Sequence, residues 1–379
     1  MAKTNFTKIL LQLASHPTAP YREEAMAHAV DRLLNAIPGV VVDRDGYGNI
    51  IARLTKGIPT KSPWTFVAHM DHPGFIVDGP PDKAGRIPVL FEGYVEDEYF
   101  VGGKVRLFRK AKVAANREVA GVIDKMGKRG PSPRRNRRGW VKTAKDAADC
   151  EIGMWDLPSI RFEDDLIYGR NLDDLAGVAV ILETLRRVSE SDRDADVIGL
   201  FTRAEETGFR GALILLEDPK RSKFLPAGAR IVSVEMSSAR PHIKTGDGAV
   251  LRVGDRTTIF DPQLCLELET ASAAIAKDKG RRPLRRALMD GGTCEATAFN
   301  LYGFQAAGVC LPLGNYHNMD VTKKRIAEEI ISRADAEDLV AVTTELCFAR
   351  KSTLDPLKKL REDLHDFAHD ARKREREGR

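Results

Sequence analysis

Five short segments of this chain set histidines or acids directly after apolar runs, where strands would end. The first is Ala68-His69-Met70-Asp71-His72. In an extended segment residues two apart point the same way, so His69 and Asp71 share a face and His72 looks away as a structural residue. A histidine beside a carboxylate suits a metal ligand whose other ring nitrogen that carboxylate orients. The second is Asn171-Leu172-Asp173-Asp174-Leu175-Ala176-Gly177, two acids where a loop enters a helix. Helix capping accounts for one Asp and less well for the pair. Asp173 could instead reach two cations, one per carboxylate oxygen. In the third, Glu205 and Glu206 follow the apolar run Leu200-Phe201-Thr202. Their side chains diverge, so one can hold a metal while the other faces a substrate; the bland reading is a solvated helix start. Glu235 in Val234-Glu235-Met236 and His317 in Asn315-Tyr316-His317-Asn318 are weak signals singly. Together the five give oxygen and nitrogen donors without thiolate, which suits a catalytic zinc or cobalt site rather than a structural one. Two such ions polarise a scissile carbonyl and lower the pKa of bound water to roughly 7. A nearby glutamate can then take the proton from water and pass it to a leaving amine.

The elements that must position these residues are legible in outline. Apolar spacing predicts helices over 4–14 and 22–37, parted by His16-Pro17-Thr18-Ala19-Pro20. Val40-Val41-Val42 and Ile50 to Leu54 read as a hairpin around Asp45-Gly46-Tyr47-Gly48. Thr65 to Ala68, Val197 to Thr202 and Ile231 to Val234 are continuous apolar runs of the kind buried on both faces of a sheet. Between them lie helical patterns, with Asp174 to Glu190 amphipathic and Gly208 to Glu217 shorter. The expected fold is therefore α/β, a mixed sheet with helices on both faces. Ligands in such sheets bind at the carboxyl ends of the strands. The stretch 79–166 is different in texture, rich in short β-like runs such as Ile87 to Phe91 and Val119 to Ile123, and reads as a small inserted β-rich domain. The expected layout is a discontinuous catalytic domain over 1–78 and 167–352, the insert over 79–166, and a charged helix or tail over 353–379.

Composition narrows the function classes. With 60 basic and 55 acidic side chains, the net charge of +5 does not by itself argue for nucleic acid. The five cysteines are an odd number without a C-x-x-C pair, which argues against a disulfide framework and for a reducing compartment. No stretch approaches the roughly 20 apolar residues of a membrane span, and no leader is evident, so the expectation is a soluble cytoplasmic protein without a membrane partner.

The ordered set of motifs resembles the tetrahedral, glutamyl and deblocking aminopeptidases, zinc exopeptidases whose members have at times been labelled cellulases or endoglucanases. The likeness runs from His69-Met70-Asp71 through Asp173-Asp174-x-Ala-Gly and Glu205-Glu206-x-Gly to Glu235 and His317. It includes Gly254 to Pro262 and the glycine-rich turn Asp290-Gly291-Gly292-Thr293. The resemblance implies that His69 and Glu235 hold one metal, Glu206 and His317 the other, and Asp173 bridges both. It implies Glu205 as general base and Asp71 as the partner that orients His69. It implies two divalent ions, zinc first, with cobalt or manganese as alternatives, and a homo-oligomer, dimer or dodecamer. Glu235 stands where many members carry Asp, Leu175 where Arg is frequent, and Cys294-Glu295 where Asp-Ala is frequent. By charge, Asp173, Glu206 and Glu235 offset most of two divalent ions, and Glu205 with Asp71 leave an acidic surplus. Such a site attracts a substrate's α-ammonium, so the expected activity is removal of N-terminal residues from peptides with a free N-terminus.

Two other readings compete with this one. A carboxypeptidase or N-acyl-amino-acid amidohydrolase could use the same metal centre, but an insert that follows His-Met-Asp and reads β-rich favours the aminopeptidase. The basic run 128–138 could neutralise phosphates, yet only Trp140 lies close by for stacking, and a mobile basic loop is the simpler reading. Nucleic acid is not expected as a partner.

Overall fold

A computed structural model describes residues 5–109, 118–130, 136–348 and 357–377. An eight-stranded mixed sheet runs in the order Val40–Arg44, Ile50–Lys56, Ala195–Thr202, Trp64–His69, Arg230–Ser238, Gln305–Leu313, Val250–Arg252, Arg285–Ala287. The four strands from Ala195–Thr202 to Gln305–Leu313 are mutually parallel, and the hairpin Val40–Arg44/Ile50–Lys56 adds antiparallel at one side. Trp64–His69 and Ala195–Thr202 are buried at every position, and Arg230–Ser238 and Gln305–Leu313 at all but one. Strands covered on both faces lose the alternation of half-exposed ones, which is why they read as unbroken apolar runs.

The helix Leu172–Glu190 is buried almost all round from Leu172 to Leu185. The sequence reads it as one-sided. It packs on the strands Trp64–His69 and Arg230–Ser238 and is covered in turn by Asn5–Ala14 and Arg333–Phe348, so no face is left for water. Asp261 caps Pro262–Lys279 with a 2.7 Å bond from the Leu264 amide, and Pro262 fills the first turn where its missing N–H costs nothing.

Gly74–Val77, Ile87–Glu92, Arg137–Thr143, Glu118–Arg129, Lys104–Arg109 and Cys150–Trp155 close into a barrel. From Glu118 to Ile123 burial alternates residue by residue, as a wall with one inner face requires. Phe75, Phe91, Phe100 and Trp155 fill the interior with edge-on and tilted ring contacts. Part of the basic run, 131–135, lies outside the described residues. Arg137 and Arg138 pair with Asp97 and Asp78. In the C-terminal helix Lys358–Glu377, residues 361–376 are exposed, Leu364 and Phe367 included. All five cysteines are free and buried. Among the described residues no helix is long and apolar enough to cross a membrane.

Candidate metal centre

The carboxyl ends of the parallel strands bring all seven residues singled out in the sequence to one place. His69 is the last residue of its strand and registers with Thr202, so the loop carrying Glu205 and Glu206 starts beside it. Glu235 lies near the end of the neighbouring strand, opposite Cys310, and the chain leaving Cys310 reaches His317 seven residues later. Asp173 enters from the start of the buried helix Leu172–Glu190.

Asp173 lies between the two imidazoles. Its Oδ1 is 3.4 Å from His69 Nε2 and its Oδ2 is 3.8 Å from His317 Nε2. His69 Nε2 is also 3.8 Å from Glu205 and 3.9 Å from Glu235, and His317 Nε2 is 3.3 Å from Glu206. Both rings have their other nitrogen committed. His69 Nδ1 faces the Asp71 carbonyl at 3.2 Å and its carboxylate at 3.5 Å, and His317 Nδ1 faces the Tyr94 carbonyl at 2.7 Å. Those oxygens accept only, so Nδ1 keeps its proton and Nε2 is the atom each ring would turn to a cation in exchange for a proton. His69 Nε2, Asp173 Oδ1, Glu206 Oε1 and Glu235 Oε1 are buried without a hydrogen-bond partner. Buried polar atoms are rarely left so. Three acids and two imidazoles facing one another are the donor set a divalent cation would satisfy. Asp173, Glu206 and His317 offer ligand atoms within 4.8 Å of one another, as do His69, Asp174 and Glu235.

The electrostatics agree. Burial pushes the Glu205 carboxyl well above its ordinary range, and the charges of Glu235, Glu206 and Glu295 add to that. Burial, with Asp173 alongside, lifts Glu235 to about 8. Burial works against a charged His69, but Glu205, Asp173 and Asp71 outweigh it and raise its pKa well above that of a free imidazole. Burial would also raise Asp173, yet His69 and His317 pull it below normal. Carboxylates packed this densely repel one another unless cations sit among them.

Local structure serves the geometry. Asp71 accepts the Glu205 amide at 3.0 Å on one oxygen and the Glu206 amide at 3.1 Å on the other, so it fixes the acid pair as well as facing His69. Ala204 and His317 both sit at φ of about 50°, a left-handed backbone uncommon for side chains other than glycine. Glu23 holds Ala204 in that turn, its Oε1 accepting the Ala204 amide at 2.9 Å while Arg203 binds its other oxygen. Both ring nitrogens of His72 are engaged, one with the Asp173 carbonyl at 2.5 Å and the other with Asn318 at 3.0 Å. Gly177 is required because a Cβ there would meet the Asp174 carboxylate at 2.3 Å.

Three acids beside the centre escape the sequence reading. Glu329 is fully buried and accepts the Asp173 amide on one oxygen and the His317 amide on the other, both at 3.0 Å. Asp174 accepts the His69 amide at 3.2 Å. Glu295 accepts the Thr202 hydroxyl at 3.0 Å, and burial lifts its pKa to about 7. Asp174 was visible as half of the acid pair. Glu295 was visible only as a departure at the glycine-rich turn, and Glu329 follows Glu328 in a stretch with no other mark.

The sequence model of the family described as M42 glutamyl aminopeptidase matches residues 48–332. A protein of Acetivibrio thermocellus described as a putative aminopeptidase is 24% identical over 316 residues, 78% of this chain and 86% of that protein. Among solved structures, an aminopeptidase of Desulfurococcus kamchatkensis superposes with a TM-score of 0.72 at 19% identity, over 93% of this chain and 97% of that one. The TET1 peptidase of Pyrococcus horikoshii, described as assembling into a tetrahedron or a large octahedral shell, gives 0.70 at 20% identity over 91% and 100%. A Thermotoga maritima protein described as an endoglucanase gives 0.61 at 20% identity over 89% and 96%. At these identities the structural likeness is one of fold.

Proposed function

The chain belongs to the M42 glutamyl aminopeptidase family, and from that premise we propose how its residues carry out metal-dependent removal of N-terminal residues from peptides. His69, Asp173 and Glu235 would hold one divalent ion, and Asp173, Glu206 and His317 the other. Asp173 rather than Asp174 would be shared between them, because each of its oxygens faces one imidazole while Asp174 gives one oxygen to the His69 amide. The observation that carries this reading is the inward-facing cluster in which His69 Nε2, Asp173 Oδ1, Glu206 Oε1 and Glu235 Oε1 are buried without hydrogen-bond partners. Nitrogen and oxygen donors without thiolate suit zinc first, with cobalt or manganese also compatible. Such ions, when bound, polarise the scissile carbonyl and acidify water.

Glu205 is the general base. Its carboxylate lies 3.8 Å from His69 Nε2 and its amide is tethered to Asp71, so it stands beside the centre with its direction fixed. It takes a proton from the attacking water and delivers it to the leaving nitrogen. Asp71 acts on both His69 and the Glu205-Glu206 pair and is a positioning residue. The acidic surplus draws in the α-ammonium of the substrate, which supports cleavage of peptides with a free N-terminus. The relatives' shells support a homo-oligomer.

The test is a panel of aminoacyl and N-acylated substrates, before and after chelation and metal add-back. Free-amine substrates are cleaved, chelation abolishes cleavage and a divalent ion restores it. Glu205→Gln keeps metal content by elemental analysis and lowers kcat by on the order of 10³-fold. Faster cleavage of N-acylated substrates would overturn the substrate reading, and near-normal turnover by Glu205→Gln the base assignment.

A further inference from the structure

The donors and acceptors around the centre are unevenly matched. The carboxylates of Asp173, Glu205, Glu206 and Glu235 are all acceptors, and the Nε2 atoms of His69 and His317 are turned on those same carboxylates. Hydrolysis of an amide develops negative charge on the carbonyl oxygen, and that oxygen is stabilised by a donor held in place beforehand.

Tyr316 is built as such a donor. Its ring is stacked on the His317 imidazole, with centroids 3.8 Å apart and planes 21° from parallel. It packs against both the sheet core and the barrel core, which fixes the ring from two sides. It is nevertheless not fully buried. The hydroxyl lies 3.8 Å from the position a Cβ would take on Gly292, so it stands at the glycine-rich turn. The charges that act on it most are Asp173, Glu206, Glu205 and Glu235, the acids on every side of the centre. Other hydroxyls near that turn are spent on each other, Thr257 with Thr293 at 2.7 Å and Thr258 with Thr297 at 2.6 Å. Among the described residues the Tyr316 hydroxyl has no hydrogen-bond partner.

We propose that Tyr316 is a catalytic residue, its phenolic O–H donating to the carbonyl oxygen of the scissile peptide as that oxygen becomes negative. The proposal rests on the aminopeptidase reading of the same centre. In the step, the oxygen of water bonds to the carbonyl carbon and its proton passes to Glu205. The π pair of the carbonyl moves onto oxygen, where the Tyr316 O–H meets it. The C=O bond then re-forms, the C–N bond breaks, and the proton on Glu205 goes to the leaving nitrogen. Tyr316 begins and ends as a neutral phenol.

Tyr316→Phe keeps the ring and its stacking on His317 and removes only the donor. Three quantities are read on the full chain: metal content by elemental analysis, kcat and KM on an aminoacyl substrate, and affinity for a phosphinic dipeptide against the free amino acid product. The phosphinic group places an anionic tetrahedral oxygen where the carbonyl oxygen would be. The expected result is unchanged metal content, KM within threefold, and kcat down by about 10²-fold. Phosphinic affinity falls by a similar factor and product affinity stays unchanged. Unchanged kcat and phosphinic affinity would overturn the proposal, and so would a parallel loss of metal, which would make the tyrosine a support for His317 alone. If the unaltered protein proves inactive on every aminoacyl substrate, the aminopeptidase reading fails, while the phosphinic affinities still decide the role of Tyr316.

Discussion

At the scale of single residues, Glu295 is the most exposed to test, because it holds a buried charge without serving as a proposed ligand. Burial lifts its pKa from an ordinary glutamate value to about 7, and only one of its oxygens has a partner. The unfolded chain releases this proton near pH 4.5, whereas the folded chain retains it until about pH 7. Between those values the folded state binds more protons, so stability falls as pH rises through that window. The loss is complete above pH 7 and absent below about 4.5. In metal-free protein Glu295→Gln is therefore expected to raise Tm at pH 8 and to leave it unchanged near pH 4.5. The gain has an upper bound on the order of 3 kcal/mol. Thermal melts of both chains after chelation read this directly, and an equal Tm difference at the two pH values contradicts it.

At the scale of elements, the barrel reaches into the centre through one main-chain group. The Tyr94 carbonyl, just after Ile87–Glu92, accepts from His317 Nδ1 and so sets the ring's tautomer and direction. The turn delivering that carbonyl depends on Gly93, whose φ is 99° and where a Cβ would meet Pro73 at 2.9 Å. Gly93→Ala combines a disfavoured backbone with a clash, so a loss of about 1–3 kcal/mol is expected. Because the carbonyl moves with the turn, one of the two metals should also bind 10–100-fold more weakly while the other is retained. Metal titration followed by calorimetry separates the two effects, and a destabilised variant with both affinities intact would show that the barrel does not orient His317.

At the scale of the whole molecule, the proposed homo-oligomer is open to test. Oligomers form by repeating one contact under symmetry. The Pyrococcus relative builds shells, and it is covered over its full length by this chain. Light scattering on the purified full chain is expected to give a multiple of the monomer mass. A monomer across the micromolar range, with full activity, would contradict the homo-oligomer proposal and leave the metal centre untouched.

The sequence by itself determined the identity and order of the acids and imidazoles, and the alternation of buried strands and helices that puts them at strand ends. Those are local properties: residue type, apolar runs and the length of the gaps between them. His69 and Glu235 were legible because each ends or directly follows an apolar run, and Glu205 and His317 because each lies in the short loop that follows one. Only the tertiary structure decided what fixes these groups. Tyr94 and His317 are 223 residues apart, Asp173 and Glu329 are 156 apart, and Thr202 and Glu295 are 93 apart. A main-chain carbonyl has no residue type to read, and an acid such as Glu329 looks like any surface glutamate until the strand that carries it is paired. The hydroxyl of Tyr316 belongs with these, since its stacking follows from left-handed turns at Asn315 and His317 that no local preference specifies. Contacts across such separations are set by how the barrel and the sheet close on one another, which composition and spacing along the chain do not encode.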